Sequence, residues 1–144
     1  MKKGYPMWNS WKRFWSVDDL GSRGVRLVLK DMFEGLRLNG KEVHAFPLDP
    51  SEPDYKYRLR KDLLEYEPDV VILANFPSAF YLREFGIENY SFQCMVWLLD
   101  DPEMMGDQEF DEREIVLVVD PKFERGARER GARRVFFLPA AAPD

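Results

Sequence analysis

The chain has 144 residues, 45% of them hydrophobic and 33% charged, and carries a net charge of −5. That length and apolar share suit one folded domain with one core and exclude a disordered or collagen-like chain. Net negative charge with scattered basic residues leaves nucleic acid without the basic footprint it needs. Cys94 is the only cysteine, which excludes an internal disulfide and a multi-thiolate zinc site and suits a reducing cytoplasm. No uncharged stretch approaches the ~20 residues of a membrane span and no secretory apolar run opens the chain, so the expected location is cytoplasmic.

The first element has two exclusive readings. Trp8, Trp11 and Trp15, spaced i, i+3 and i+7, share one side if the segment is helical. Alternatively, residues 11–17 form the strand that must precede the next helix in a Rossmann-like half. That helix is marked by Val25, Val28, Leu29, Met32, Phe33 and Leu36, a period near 3.6 running from Gly24 to the Asn39-Gly40 stop. Residues 43–48 follow as a strand, and 47–53 as a proline-rich loop. Asp54 then introduces a helical stripe of Tyr55, Leu59, Leu63 and Tyr66, closed off by Pro68. Residues 70–74 form the next strand. Ser78 offers a cap for a short helix to Phe85, with Gly86 at the left-handed end position. Strands over 95–99 and 115–119 come next. Asp120-Pro121 offers an N-cap and a first-turn proline for a helix to Arg130, ended by Gly131 and followed by a strand over 135–138.

Several of these strands are continuously apolar, as expected when helices cover both sheet faces. Their alternation with helices predicts a Rossmann-like three-layer α/β/α sandwich, with a mostly parallel sheet of five or six strands joined by right-handed crossovers. One domain spans 1–144, and the small residues and prolines of 139–144 suit the start of an interdomain hinge.

Open α/β sheets bind ligands outside the carboxyl ends of their strands, and the candidate site residues fall there. Asp100 and Asp101 follow the 95–99 strand, where they can accept hydrogen bonds from hydroxyls or simply cap the next turn. Asn75 and Ser78 occupy another strand-to-helix turn. Gly21, Ser22, Arg23 and Gly24 precede the first long helix, where backbone N–H groups can approach an anion, although neither a full dinucleotide fingerprint nor a P-loop is present. The acidic run from Glu103 to Glu114 matches no calcium loop and reads mostly as solvated, so no metal is expected. His44 reads as a structural imidazole. No Gly-x-Ser-x-Gly elbow or cysteine–histidine constellation occurs, which disfavours hydrolase chemistry.

Trp97-Leu98-Leu99-Asp100-Asp101-Pro102, Val118-Val119-Asp120, Gly131-Ala132 and Leu138-Pro139-Ala140-Ala141, in that order, resemble the pattern of the CgeB-like (spore maturation protein B-like) glycosyltransferases over about residues 40 to 144. The resemblance implies the N-terminal, acceptor-side half of a GT-B enzyme, whose partner domain binds most of a nucleotide-sugar donor. It implies sugar transfer to a hydroxyl acceptor, with the nucleotide sugar as co-substrate, no other cofactor and no metal. Asp100 and Asp101 would line the cleft, and Gly21 to Gly24 would lie near donor phosphates or acceptor. The chain would be inactive without the missing C-terminal domain, and no catalytic residue is assigned. Two alternatives stand beside this reading: a stand-alone nucleotide- or sugar-binding module, and an interaction subunit or homodimer that uses the Trp8, Trp11 and Trp15 surface.

Overall fold

The computed structural model describes residues 10–18 and 23–139. Its elements run β1 (Arg13–Val17), α1 (Arg23–Leu38), β2 (Glu42–Phe46), α2 (Tyr55–Tyr66), β3 (Val70–Ala74), α3 (Ser78–Phe85), β4 (Gln93–Leu98), a 3-10 turn (Pro102–Met105), β5 (Ile115–Val118), α4 (Phe123–Glu129) and β6 (Arg134–Phe137). The six strands form one parallel sheet in the order β2-β1-β3-β4-β5-β6. No helix among the described residues is long and apolar enough to cross a membrane.

The strand order dictates the layers. The step from β1 to β2 runs in one direction along the sheet and every later step runs in the other. Right-handed crossovers therefore place α1 on one face and α2, α3 and α4 on the opposite face. Side chains agree with this division. Trp15 of β1 and His44 of β2 both meet Asp62 of α2. β3, at the centre, and β5 are buried at every position, and β4 at every position but its first. A strand covered on both faces has no polar side to show, which is why its sequence does not alternate.

The amino ends of the strands are aligned by Asp69. Its Oδ2 accepts the backbone N–H of Lys12 at 2.7 Å and of Arg13 at 2.9 Å, while its own N–H and C=O bond Arg13 and Gln93. One residue thus ties β1, β3 and β4 together, and the two N–H donors hold its carboxyl below the usual range.

The open choice at residues 8–17 resolves as strand. Trp15 is fully buried in β1, and Trp11 packs partly buried against the core; Trp8 lies outside the described residues. A shared exposed face for the three indoles is therefore corrected, because Trp15 belongs to the core. Other boundaries move for local reasons. β2 stops at Phe46 because Pro47 has no N–H for the ladder. The last helix begins at Phe123 and not beside Asp120, because Asp120 to Phe123 close a turn: the Phe123 N–H donates to the Asp120 carbonyl at 2.9 Å, and the Asp120 carboxylate accepts from Lys122 N–H. Ser78 is the first residue of α3 and not its cap, since Pro77 holds the cap position without a side-chain bond. Gly86 takes the left-handed position at the other end, at φ 70°. The expected hinge at 139–144 lies, beyond Pro139, outside the described residues.

Candidate functional site

The order of the strands reverses between β1 and β3, so the crevice outside their carboxyl ends is the topological switch point. Asp18 follows β1 there and Asn75 follows β3, with Leu99 and Asp100 next door after β4. Asn75 organises this edge. Its backbone lies at φ 67°, a conformation that asparagine tolerates better than most residues. From that position its Oδ1 accepts the N–H of Leu99 at 2.9 Å and of Asp100 at 3.1 Å. Its Nδ2 donates to Asp100 Oδ2 at 3.1 Å, and its backbone N–H donates to the Trp97 carbonyl. These contacts end β4 at Leu98, because the next N–H is taken by a side chain instead of by the ladder.

Asp100 is consequently exposed but held in one orientation, and Asn75 is its only side-chain partner among the described residues. Asp101 is also exposed, and its Oδ1 accepts the Glu103 N–H at 2.9 Å, which caps the 3-10 turn that Pro102 opens. The two adjacent aspartates therefore differ in kind: one caps a turn and the other is steered by an amide. On the β1 side, Asp18 Oδ1 accepts the Leu48 N–H at 3.0 Å, which pins the loop after β2 to the same edge.

Of the remaining residues singled out from the sequence, Gly21 and Ser22 lie outside the described residues. Arg23 and Gly24 form the first turn of α1. Ser78 belongs to a different environment. It is buried, and both its N–H and its hydroxyl donate to the carboxyl of Glu114. His44 is paired at 2.8 Å with Asp62 and stacked on Tyr66. It keeps a part-exposed side chain because β2 is an edge strand. Among the described residues no three His, Cys, Asp or Glu side chains converge in a way that can hold a metal ion.

Glu114 is the residue that the sequence reading missed. It closes the acidic run that reads as solvated, yet it is only 3% exposed, and burial pushes its carboxyl up to about 7. The available signal is its position. It adjoins β5, whose four residues are all buried, and a side chain joined directly to such a strand is drawn in with it. Cys94, the lone cysteine, is buried beside Ser78, Tyr90 and Glu114, and burial pushes its thiol up to about 12, which disfavours the thiolate.

Comparison with models of known families, with curated proteins and with solved structures gives no match to this chain.

Proposed function

We propose that this domain is the acceptor-side, Rossmann-like half of a two-domain GT-B glycosyltransferase. On this reading the carboxyl edge formed by Asn75, Asp100 and Asp101 faces the cleft. The observation that carries the reading is the Asn75 strut. A side chain in an unusual backbone conformation uses one end of its amide to hold the backbone at Leu99 and Asp100 and the other to hold the exposed Asp100 carboxylate. Held carboxylates of this kind suit recognition of ligand hydroxyls, because the acceptor is already oriented and loses little freedom when the ligand arrives. The segment that most resembles the CgeB-like enzymes, Trp97 to Pro102, is the same one that Asn75 organises.

In this reading the domain positions a hydroxyl acceptor. A second Rossmann-like domain supplies the nucleotide-sugar site, and closure of the two excludes water from the transfer. Asp100 binds and orients an acceptor hydroxyl. The burial of Trp15 weighs against an interaction surface built on the three tryptophans.

The test is the size and activity of the natural gene product, captured from its source cells with an antibody raised against this chain. The expected result is a protein longer by at least a domain of about 100–200 residues, which moves a labelled sugar from a nucleotide donor to a hydroxyl acceptor. In it, Asp100→Asn should raise KM for the acceptor. A product of 144 residues, or a longer one in which Asp100→Asn leaves the acceptor KM unchanged, overturns the assignment.

A further inference from the structure

The opposite edge of the sheet is concave. A cleft of about 520 Å³ opens beside the amino ends of β3, β4 and β5, and its walls include Tyr90, Phe92, Gln93, Asp111, Arg113 and Glu114. Its parts are of two kinds. Tyr90 and Phe92 stack nearly parallel, with centroids 4.6 Å apart and planes 16° apart, and this makes a stiff aromatic wall from which Tyr90 remains 39% exposed. The other parts are polar. Arg113 closes a fork on Asp111 through Nε and Nη2, both at 3.0 Å. Gln93 donates to the carbonyls of Cys94 and Arg113, and Arg134 reaches Gln93 Oε1 and the Arg113 carbonyl from β6.

Within this otherwise satisfied frame one atom stands out. Glu114 Oε1 is taken by Ser78, but Glu114 Oε2 is buried and has no hydrogen-bond partner among the described residues. A polar atom left in that condition costs about 1–3 kcal/mol, and a buried orphan calls for a reason. We infer that the amino-edge cleft is a binding site for a neutral, polyhydroxylated ring of the sugar or cyclitol class, with a small rotation of the Glu114 side chain letting one ring hydroxyl complete its bonding and an apolar ring face lying on the Tyr90–Phe92 wall.

The chemistry selects this class over charged ligands. Asp69, Asp111 and Glu114 are opposed by Arg113 and Arg134, and Asp111 is already neutralised in its fork. No strong field of either sign is left to reward an ion. A hydroxyl both donates and accepts, so it pairs with Glu114 whether that carboxyl is ionised or protonated, whereas an ammonium serves only the ionised form. Flat aromatic walls match the C–H faces of a ring, and the carboxylate and amide groups around them match its hydroxyls. The site lies at the sheet edge remote from Asp100 and does not depend on the transferase reading.

The experiment is a titration of the isotope-labelled 144-residue chain with four probes: the methyl glycosides of glucose, galactose and mannose, and myo-inositol, followed by amide chemical shifts. At least one probe should saturate with a Kd of about 0.1–10 mM and shift the amides of Tyr90 to Cys94, Arg113 and Glu114. Tyr90→Ala, at a part-exposed position, should weaken that binding at least about fivefold, as loss of an aromatic contact does. Glu114→Met should weaken it by a similar factor if it folds, while Asp100→Asn should leave it unchanged. Absence of saturation with all four probes overturns the inference, as does saturation whose shifts are confined to Asn75 and Leu99 to Asp101. The second outcome would leave the proposed carboxyl-edge site standing.

Discussion

Replacing Glu114 by glutamine should change the way stability depends on pH. In the folded chain burial raises this carboxyl from 4.5 to about 7, because desolvation penalises the charged form more than the Ser78 bonds favour it. Below pH 4.5 both the folded and unfolded states carry the proton, and the contribution to stability is fully present. Between 4.5 and about 7 the unfolded state releases a proton that the folded state retains, so stability falls as pH rises. Above about 7 the loss is complete, and it amounts to roughly 3 kcal/mol. Glutamine has the shape of the protonated acid and cannot ionise. Wild type and Glu114→Gln should therefore agree within about 1 kcal/mol near pH 4.5, and the variant should be the more stable one at pH 8. Urea unfolding followed by tryptophan fluorescence measures the difference, since Trp15 and Trp97 are buried and report the core. Other carboxyls, such as Asp69, titrate equally in both proteins and cancel. Two stability curves that run parallel from pH 4.5 to 8 would refute the reasoning.

Three substitutions test the rest of the frame. Asn75→Ala removes three amide bonds and leaves a less tolerant residue at φ 67°; a loss of about 2–3 kcal/mol is expected in urea unfolding, and a loss below about 0.5 kcal/mol would discount the strut. Gly131→Ala places a methyl 2.9 Å from the Phe110 carbonyl at φ +95° and should cost at least about 1 kcal/mol, visible as a lower thermal midpoint. Asp62→Ala leaves the Trp15 indole N–H and His44 without their shared acceptor; it should cost about 1–3 kcal/mol, and His44→Ala in that background should add little, because the two act as one contact.

The fold was readable from the sequence wherever burial and local chain chemistry agree. Val70–Ala74 forms a strand at its expected limits, since the centre of a doubly covered sheet permits only apolar residues and Pro68 and Asn75 punctuate it. The stripe from Val25 to Leu36 forms a helix for the same kind of reason. The order of the strands was not readable. Alternating strands and helices fit several parallel orders, and which strand lies beside β1 depends on the direction of each crossover, a property of the packed sheet. Residues 11–17 were ambiguous because tryptophan spacing at 11 and 15 fits a helix and an inward-facing strand equally well; burial of Trp15 decides it.

Sites are harder to read than folds because their bonds join distant positions. Asp100 was legible as a carboxylate after a strand, but the residue that orients it, Asn75, is 25 positions away. Its role rests on a backbone angle that no pattern of residue types encodes. Ser78 shows the same limit in the other direction. Its place at the head of α3 makes a cap the natural expectation, and the structure instead turns its hydroxyl inward to Glu114, 36 positions away. That bond brings a carboxyl under α3 at the end of the helix that favours negative charge, so the capping that Ser78 would have given its own helix is supplied by a side chain next to β5. Burial of Glu114 is thus coupled to the start of α3, and the unsatisfied Oε2 is what remains when one carboxyl serves two requirements, closing a helix end and lining a cleft.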